Sequence, residues 1–321
     1  MGNRTIDYAD SYKYLGVVLN EFLDYKAVAS VMSDSAGRAL GALISKYKGI
    51  GNLGFNTYSK CFESSVSSVL EYCSGVWGFV KFSQCEQIRA RALRVFLGVH
   101  RHTANAVIFG DTGWATAVYR QHENIIRLWN RLLLMDNNMI AKRVFVWDYG
   151  LRKANWSASV KSILENVNLE HCFSNLQVVS VHSFNILSAQ KETEKWREIL
   201  NNKPKLRTYK TFKFDYCPEN YILLSQAHRS LLARLRSGTL PLEIETGRFV
   251  GTPLEERTCK ICNENVIEDE SHFVFECTKY SHFRVGFPDE ASLALMFNDY
   301  LNVLAKYVQN AFSFRQTLLF R

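Results

Sequence analysis

Proline is confined to the last third of this 321-residue chain, and that distribution constrains the fold more than any other feature. All five prolines follow residue 203, at positions 204, 218, 241, 253 and 288. Proline inside a helix removes a backbone hydrogen bond and clashes with the preceding turn. Long helices can therefore run without interruption through residues 1–203.

Apolar periodicity predicts helices through most of this proline-free part. Its beginning differs, because residues 12–19 (YKYLGVVL) are aromatic and β-branched and predict one strand, followed by a turn at Asn20 and Glu21. Helical spacing predicts helices over residues 25–48, 56–73, 84–98 and 115–135, two or three short helices within 157–202, and a last one over 219–237. The first is predicted to stop at Gly49 and the last at Gly238.

The sequence thus predicts a mainly α fold with a short N-terminal β element, a helical bundle and a small C-terminal region. Internal repeats and low-complexity linkers do not occur in it, so domain boundaries follow changes in pattern. The predicted domains are residues 1–24, 25–150, 151–245 and 246–321.

Composition, with 47% apolar and 22% charged residues, is that of a globular protein. The longest apolar runs fall far short of the ~20 residues that a membrane-spanning helix needs, and the N-terminus lacks the layout of a signal peptide. We therefore expect an intracellular protein, nuclear or cytoplasmic, with reduced cysteines and no membrane contact. The net charge of +8 favours a polyanionic partner such as nucleic acid.

Three cysteines and a histidine crowd into residues 259–277 with the pattern C-x2-C-x9-H-x4-C. Two thiols on one turn, and a histidine and cysteine on one side of a short helix, can close a tetrahedron around zinc. The predicted zinc ligands are Cys259, Cys262, His272 and Cys277. Four such ligands leave no open coordination position, so the site is predicted to be structural, with a chance cluster of core cysteines as the alternative. Asp269 or Ser271 is predicted to cap the short helix, and the acidic run 268–270 to accept a hydrogen bond from the imidazole.

This motif, read over residues 256–277, resembles the C-terminal zinc motif of non-LTR retrotransposon reverse transcriptases. Residues 36–43 (AGRALGAL) and 71–78 (EYCSGVWG) are similar to the thumb of that family. Residues 231–238 (LLARLRSG) and 245–249 (ETGRF) resemble the arginine helix and turn that precede its zinc motif. Residues 11–17 resemble its primer grip, which implies a primer-grip role for Tyr12, Lys13, Tyr14, Leu15 and Gly16. The resemblance spans almost the whole chain.

The resemblance implies a thumb-like bundle and a nucleic-acid-binding part of an RNA-directed DNA polymerase. Its implied partners are template RNA, primer DNA and the polymerase segment upstream in the same element. Polymerisation needs two metal ions held by paired palm aspartates, whereas residues 7–11 (DYADS) have only one aspartate after the alanine. We therefore expect a C-terminal fragment of such an element, without catalytic residues and without polymerase activity alone.

Two groups of basic residues are candidates for contacts with phosphates. Arg91, Arg94 and Arg101 fall on one polar arc of a helix through residues 84–101. The basic connector, residues 203–213, has no acidic residue and combines charge with aromatic rings for stacking on bases. Its candidate residues are Lys203, Lys205, Arg207, Tyr209, Lys210 and Lys213. The alternatives are solvated surface faces and, for the whole chain, a zinc-stabilised protein-interaction module or a decayed element fragment without a nucleic-acid role.

Overall fold

The computed structural model describes residues 8–22, 24–51, 53–151 and 154–319, so Asp7 of the palm-like run lies outside the described residues. The fold is mainly helical, as predicted, with a short β element near its N-terminal end and a Cys/His cluster near its C-terminal end. Among the described residues, no helix combines the length and the apolar character needed to cross a membrane.

The N-terminal β element is a hairpin of two antiparallel strands, β1 (Ser11–Tyr14) and β2 (Val17–Asn20). The prediction of one continuous strand is wrong, because Leu15 and Gly16 form a two-residue turn with φ angles of 47° and 89°. Two positive φ angles match the twist of paired strands in a tight hairpin. A left-handed leucine is unfavourable, and the Tyr72 hydroxyl holds the turn by donating to the Leu15 carbonyl oxygen at 2.9 Å.

The α-helices follow in chain order. The first eight are α1 (Tyr25–Ile50), α2 (Phe55–Phe62), α3 (Ser68–Leu70), α4 (Ser74–Trp77), α5 (Ser83–Leu97), α6 (Asn105–Thr112), α7 (Ala117–Leu134) and α8 (Ile140–Gly150). The next seven are α9 (Trp156–Glu165), α10 (Glu170–Ser174), α11 (Val181–Asn201), α12 (Gln226–Arg236), α13 (Glu243–Phe249), α14 (Leu293–Asn298) and α15 (Leu301–Leu319). A π-helical turn at Glu63–Ser67 joins α2 to α3.

Helix ends agree with the sequence pattern at some positions and depart from it at others. Helix α1 continues through Gly49 and ends at Ile50, where Gly51 takes a φ angle of 90°. The helix predicted over residues 219–237 begins only at α12, after a 3-10 turn at Asn220–Leu223. Helix α12 ends at Arg236, and Gly238 follows as the predicted stop. The Gly238 N–H donates to the Leu235 carbonyl oxygen, and the N–H of the next residue donates to the Arg234 carbonyl oxygen.

The first unit of the protein comprises Met1–Gly49, Ser59–Arg89 and Ala115–Glu192. Its core includes Trp129 of α7, whose ring packs against Phe145 and Phe173 at centroid distances of 5.4 Å. Arg89 is also buried in this unit, and its guanidinium lies 3.3 Å from the Glu71 carboxylate.

The second unit comprises Ile50–Tyr58, Ala90–Trp114 and Thr193–Arg321. One of its core clusters joins α6, α11 and the basic connector through Val107, Trp196, Leu206 and Tyr209. The Trp196 indole N–H donates to the carbonyl oxygen of Ala106 at 2.7 Å. This unit contains the predicted metal ligands and both groups of predicted phosphate-binding residues.

Candidate metal centre

Cys259 and Cys262 lie on a tight turn that connects two short extended segments. The Cys259 N–H donates to the Val266 carbonyl oxygen at 2.8 Å, which closes the base of the turn. Asn263 and Asn265 take left-handed φ angles of 58° and 55°, a conformation that asparagine tolerates better than most residues. The chain thereby reverses direction directly after Cys262.

His272 and Cys277 lie at the two ends of a single π-helical turn, His272–Glu276. The Asp269 carboxylate accepts a hydrogen bond of 2.9 Å from the His272 N–H, so the predicted cap at Asp269 is confirmed. The Cys277 N–H donates to the His272 carbonyl oxygen at 2.8 Å. This bond brings the cysteine back toward the same side of the turn as the histidine.

The four side chains converge on one point. One ligand atom from each of them lies within 4.8 Å of the other three, and His272 Nε2 is 3.6 Å from Cys262 Sγ. Three of the four residues are buried, and Cys262 is half-buried. A cluster of three thiols and one imidazole in this arrangement could hold a metal ion.

Burial disfavours the thiolate forms of these cysteines. It raises the pKa of the Cys259 thiol to about 12, although the backbone N–H groups of Cys262 and Ile261 act in the opposite direction. Burial also raises the pKa of the Cys277 thiol. Cysteines bind a metal as thiolates. A divalent cation would therefore stabilise the negative charge that burial disfavours.

The predicted hydrogen bond from the His272 imidazole to the acidic run 268–270 is wrong. Glu268 is fully buried and accepts two hydrogen bonds from Arg315 of α15, at 2.9 and 2.6 Å. Glu270 accepts instead from Arg207 at 2.9 Å. The carboxylate beside His272 Nδ1 is that of Glu276, at 3.6 Å. This contact could have been predicted from the sequence, since His272 and Glu276 are four residues apart and such residues share one face of a helical turn.

The first group of predicted phosphate-binding residues does not lie on a single helix. Arg91 and Arg94 lie on α5, but the helix ends at Leu97 and leaves Arg101 in the following turn. Arg94 donates to the Thr103 carbonyl oxygen at 2.8 Å and to Asn105 Oδ1 at 2.5 Å. The predicted common arc is therefore wrong, although Arg91 and Arg101 are exposed.

The basic connector is largely engaged in contacts within the protein. Arg207 forms an ion pair of 2.9 Å with Glu270, and Lys205 pairs with Glu245. Lys210 Nζ donates to the Asn201 carbonyl oxygen at 3.0 Å. These carboxylates come from segments well beyond the connector, which is why its own acid-free sequence gave no sign of them.

Two connector residues require a correction because they are buried. The Tyr209 side chain has 0% exposure, and its hydroxyl donates to Asp111 Oδ1 at 2.8 Å, so no face of the ring is open to a base. Lys213 is 4% exposed and pairs with Glu219 at 2.5 Å. Lys203 is exposed and has no carboxylate partner among the described residues.

The predicted primer-grip residues form the N-terminal hairpin. Tyr12, Lys13, Tyr14 and Leu15 are exposed, and Gly16 occupies the turn. Exposure is compatible with a binding role, which stays a prediction.

Comparison of the chain with models of protein families, with curated proteins and with solved structures found no match. The resemblance to non-LTR reverse transcriptases stays a prediction that rests on sequence motifs.

Proposed function

We propose that Cys259, Cys262, His272 and Cys277 bind one zinc ion in a structural role. Zinc bonds of about 2.3 Å to sulfur and about 2.0 Å to nitrogen correspond to a tetrahedron with edges of roughly 3.5–3.8 Å. The ligand atoms lie within 4.8 Å of one another, so small side-chain movements close the tetrahedron. This convergence carries the proposal. Thiolates and imidazole also suit zinc better than calcium or magnesium, which prefer oxygen ligands.

Four protein ligands would leave no position open for a substrate, so the ion would contribute folding free energy rather than reaction chemistry. The zinc ion would join the turn that contains Cys259 to the turn that contains His272. Helix α15 packs against the same region, where the Tyr307 hydroxyl donates to the Phe273 carbonyl oxygen and Arg315 pairs with Glu268. Metal analysis of the purified protein tests this proposal, with about one zinc ion per chain as the expected result.

We further propose that the protein binds nucleic acid, as the part of a non-LTR-type reverse transcriptase that holds template RNA and primer DNA. The observation that supports this best is a set of exposed cations without a carboxylate partner among the described residues. Arg91, Arg101 and Lys203 belong to this set, and all three lie in the second unit. Uncompensated surface cations bind phosphates by releasing condensed counterions. The net charge of +8 also favours binding to a polyanion.

A protein-interaction module is the second candidate, favoured by apolar side chains on α8. Ile140, Val144 and Trp147 are 78%, 54% and 66% exposed. Their spacing of four and three residues puts them on one helix face. Exposed apolar groups that share a face are typical of surfaces that bind other proteins.

Equilibrium binding of a single-stranded RNA at increasing salt concentration separates the two candidates. Binding through phosphates predicts that the logarithm of the association constant falls linearly with the logarithm of salt concentration, by about 0.7 per contact. An interaction module predicts that heparin competes as well as RNA does, and that charge variants share the slope of the wild type.

A further inference from the structure

A cleft with a volume of about 840 Å³ opens within the second unit. Three parts of that unit line it: the turn after α5, the beginning of the basic connector, and the segment from the end of α12 through α13. Its volume lies in the range of roughly 300–1,000 Å³ that is typical of small-ligand sites. The cleft is separate from the Cys/His cluster, because none of the four candidate metal ligands lines it.

Cationic side chains outnumber carboxylates in the lining of this cleft. Lys203, Lys205, Arg234 and Arg248 face the single carboxylate of Glu245 among the lining residues. Lys205 and Arg248 share that carboxylate, with Arg248 Nη2 3.1 Å from it. Lys203 and Arg234 have no carboxylate partner among the described residues. The cleft therefore carries a positive charge that the protein itself does not neutralise.

Arg234 is half-buried and lies in the last turn of α12. Its guanidinium lies 5.6 Å from the centroid of the Phe312 ring. Burial lowers the pKa of Arg234 from its ordinary value, because water is removed from the charged group. A bound anion would supply the missing counter-charge, and the planar guanidinium fork matches the oxygens of a phosphate group.

The lining also offers rings for stacking. Phe249 is 70% exposed at the end of α13, and the Arg248 guanidinium lies 4.9 Å from its ring centroid. His100 and His102, on the turn after α5, have ring centroids 5.0 Å apart. Grooves that combine cationic side chains with exposed aromatic rings are typical of proteins that bind single-stranded nucleic acid.

We propose that this cleft binds a short stretch of single-stranded nucleic acid, with one phosphate at Arg234, another phosphate at Lys203 and a base stacked on Phe249. The inference rests on the proposed nucleic-acid-binding function and assigns it a cleft in which Lys203 of the basic connector lies with Arg234 and Phe249. A single strand fits better than a duplex, because stacking on a protein ring requires an unpaired base.

The test is titration of the 321-residue protein with a fluorescently labelled oligouridine, and with a duplex of equal length, at several salt concentrations. We expect the single strand to bind more tightly than the duplex. Phe249→Ala should weaken binding of the single strand about 5- to 150-fold without changing the salt slope, as expected for one lost stacking contact. Lys203→Gln and Arg234→Gln should each reduce the magnitude of the slope by about 0.7.

Two matched variants serve as controls. Val250→Ala removes the neighbouring apolar side chain, which is 81% exposed, and Lys306→Gln removes an exposed charge of α15 outside the cleft. Both should bind like the wild type. Lys203 and Phe249 are exposed, so their variants test the cleft even if Arg234→Gln reduces stability, which circular dichroism and zinc content would reveal.

The outcomes separate this inference from the proposed function. If the wild type binds the oligouridine but Phe249→Ala and Lys203→Gln bind equally well, the cleft is not the site and the proposed function stands. If the controls weaken binding as much as the cleft variants, the cleft assignment is also overturned. If the wild type binds neither the single strand nor the duplex, the proposed function fails and the cleft assignment fails with it.

Discussion

Arg236 and Asp111 form a bidentate ion pair in the interior of the second unit, although 125 residues separate them in sequence. Nε and Nη2 of the arginine lie 2.9 and 3.0 Å from the two carboxylate oxygens. The hydroxyls of Tyr209 and Tyr221 each donate to the same carboxylate at 2.8 Å. Both charged groups are almost completely buried, with side-chain exposures of 1% and 0%. The stability of this unit therefore depends on keeping both charges together.

Replacing Arg236 by methionine should lower the free energy of unfolding by about 3–5 kcal/mol, because it leaves the Asp111 carboxylate buried without its cation. Denaturant unfolding measures this change. Lys161→Met is the matched control, since Lys161 and Glu165 form an ion pair of 3.6 Å with both side chains about half exposed. That control should change stability by less than about 1 kcal/mol. Equal effects of the two substitutions would contradict the structural importance of the buried pair.

Tyr209→Phe should lower the free energy of unfolding by about 1.5–3 kcal/mol, since its hydroxyl donates to the charged Asp111 carboxylate. Affinity for RNA should stay unchanged, because the ring is buried. Tyr12→Phe, at a position 66% exposed, should alter stability by less than about 0.5 kcal/mol. Unfolding curves and RNA titrations of both variants provide the check, and a Tyr209→Phe variant as stable as the wild type would contradict the buried hydrogen bond.

Cys262→Ser should reduce the zinc content from about one ion per chain to nearly none, because a three-ligand site loses its closed tetrahedron. Hydrogen exchange should then accelerate in residues 255–285, while the first unit keeps its protection. Cys217→Ser is the control, as Cys217 is an exposed free cysteine in the same unit. Retention of zinc by the Cys262 variant would rule out the proposed ligand set.

Arg91→Ala and Arg101→Ala should each reduce the magnitude of the salt slope for single-stranded RNA by about 0.7, if each guanidinium neutralises one phosphate. Lys279→Ala is the control, since it removes an exposed charge next to the candidate metal centre. Acidic residues near those ligands in sequence, such as Glu264 and Glu276, would repel phosphates there. Its slope should match that of the wild type. Binding isotherms at four or more salt concentrations would measure these slopes, and one common slope for all variants would favour the interaction module.

Glu192→Gln should stabilise the first unit at neutral pH and leave it unchanged in acid. Burial, with a further contribution from Glu86, raises the pKa of Glu192 above its ordinary value of 4.5 in the folded state. The folded chain therefore binds a proton more readily than the unfolded chain, and the wild type loses stability as the pH rises from 4.5 through the raised pKa. Glutamine can still accept the hydrogen bond of 3.1 Å from the Thr116 N–H. Unfolding at several pH values, with half-exposed Glu165→Gln as a control, checks the sign of the difference.

Local features of the candidate site were predictable from sequence, whereas its surroundings were not. The cluster consists of two pairs that are close in sequence, Cys259 with Cys262 and His272 with Cys277. Hydrogen bonds to near neighbours hold each pair in its turn. The partners of the basic connector lie much farther away, with 40 residues between Lys205 and Glu245. Apolar periodicity reports which face of a segment is buried, but it carries no information about which distant segment covers that face.

The hairpin shows the same limit at shorter range. Strand propensity identified residues 12–14 and 17–19 correctly as extended, but the turn residues Leu15 and Gly16 lack the Asn-Gly or Asp-Gly signature of a tight hairpin. The hydrogen bond that holds this turn comes from Tyr72, 57 residues away. A contact of that kind has no local trace in the sequence.

The alternation of chain segments between the two units limits how the polypeptide can be divided. Ala90–Trp114 belongs to the same unit as Thr193–Arg321, although a long segment of the other unit separates them in sequence. A polypeptide cut anywhere between Asp111 and Arg236 would leave the acid in one piece and the base in the other. The piece that contains Asp111 would bury a carboxylate without its guanidinium partner, so dissection, split expression or recombination within that interval would separate two halves that are competent to fold only together.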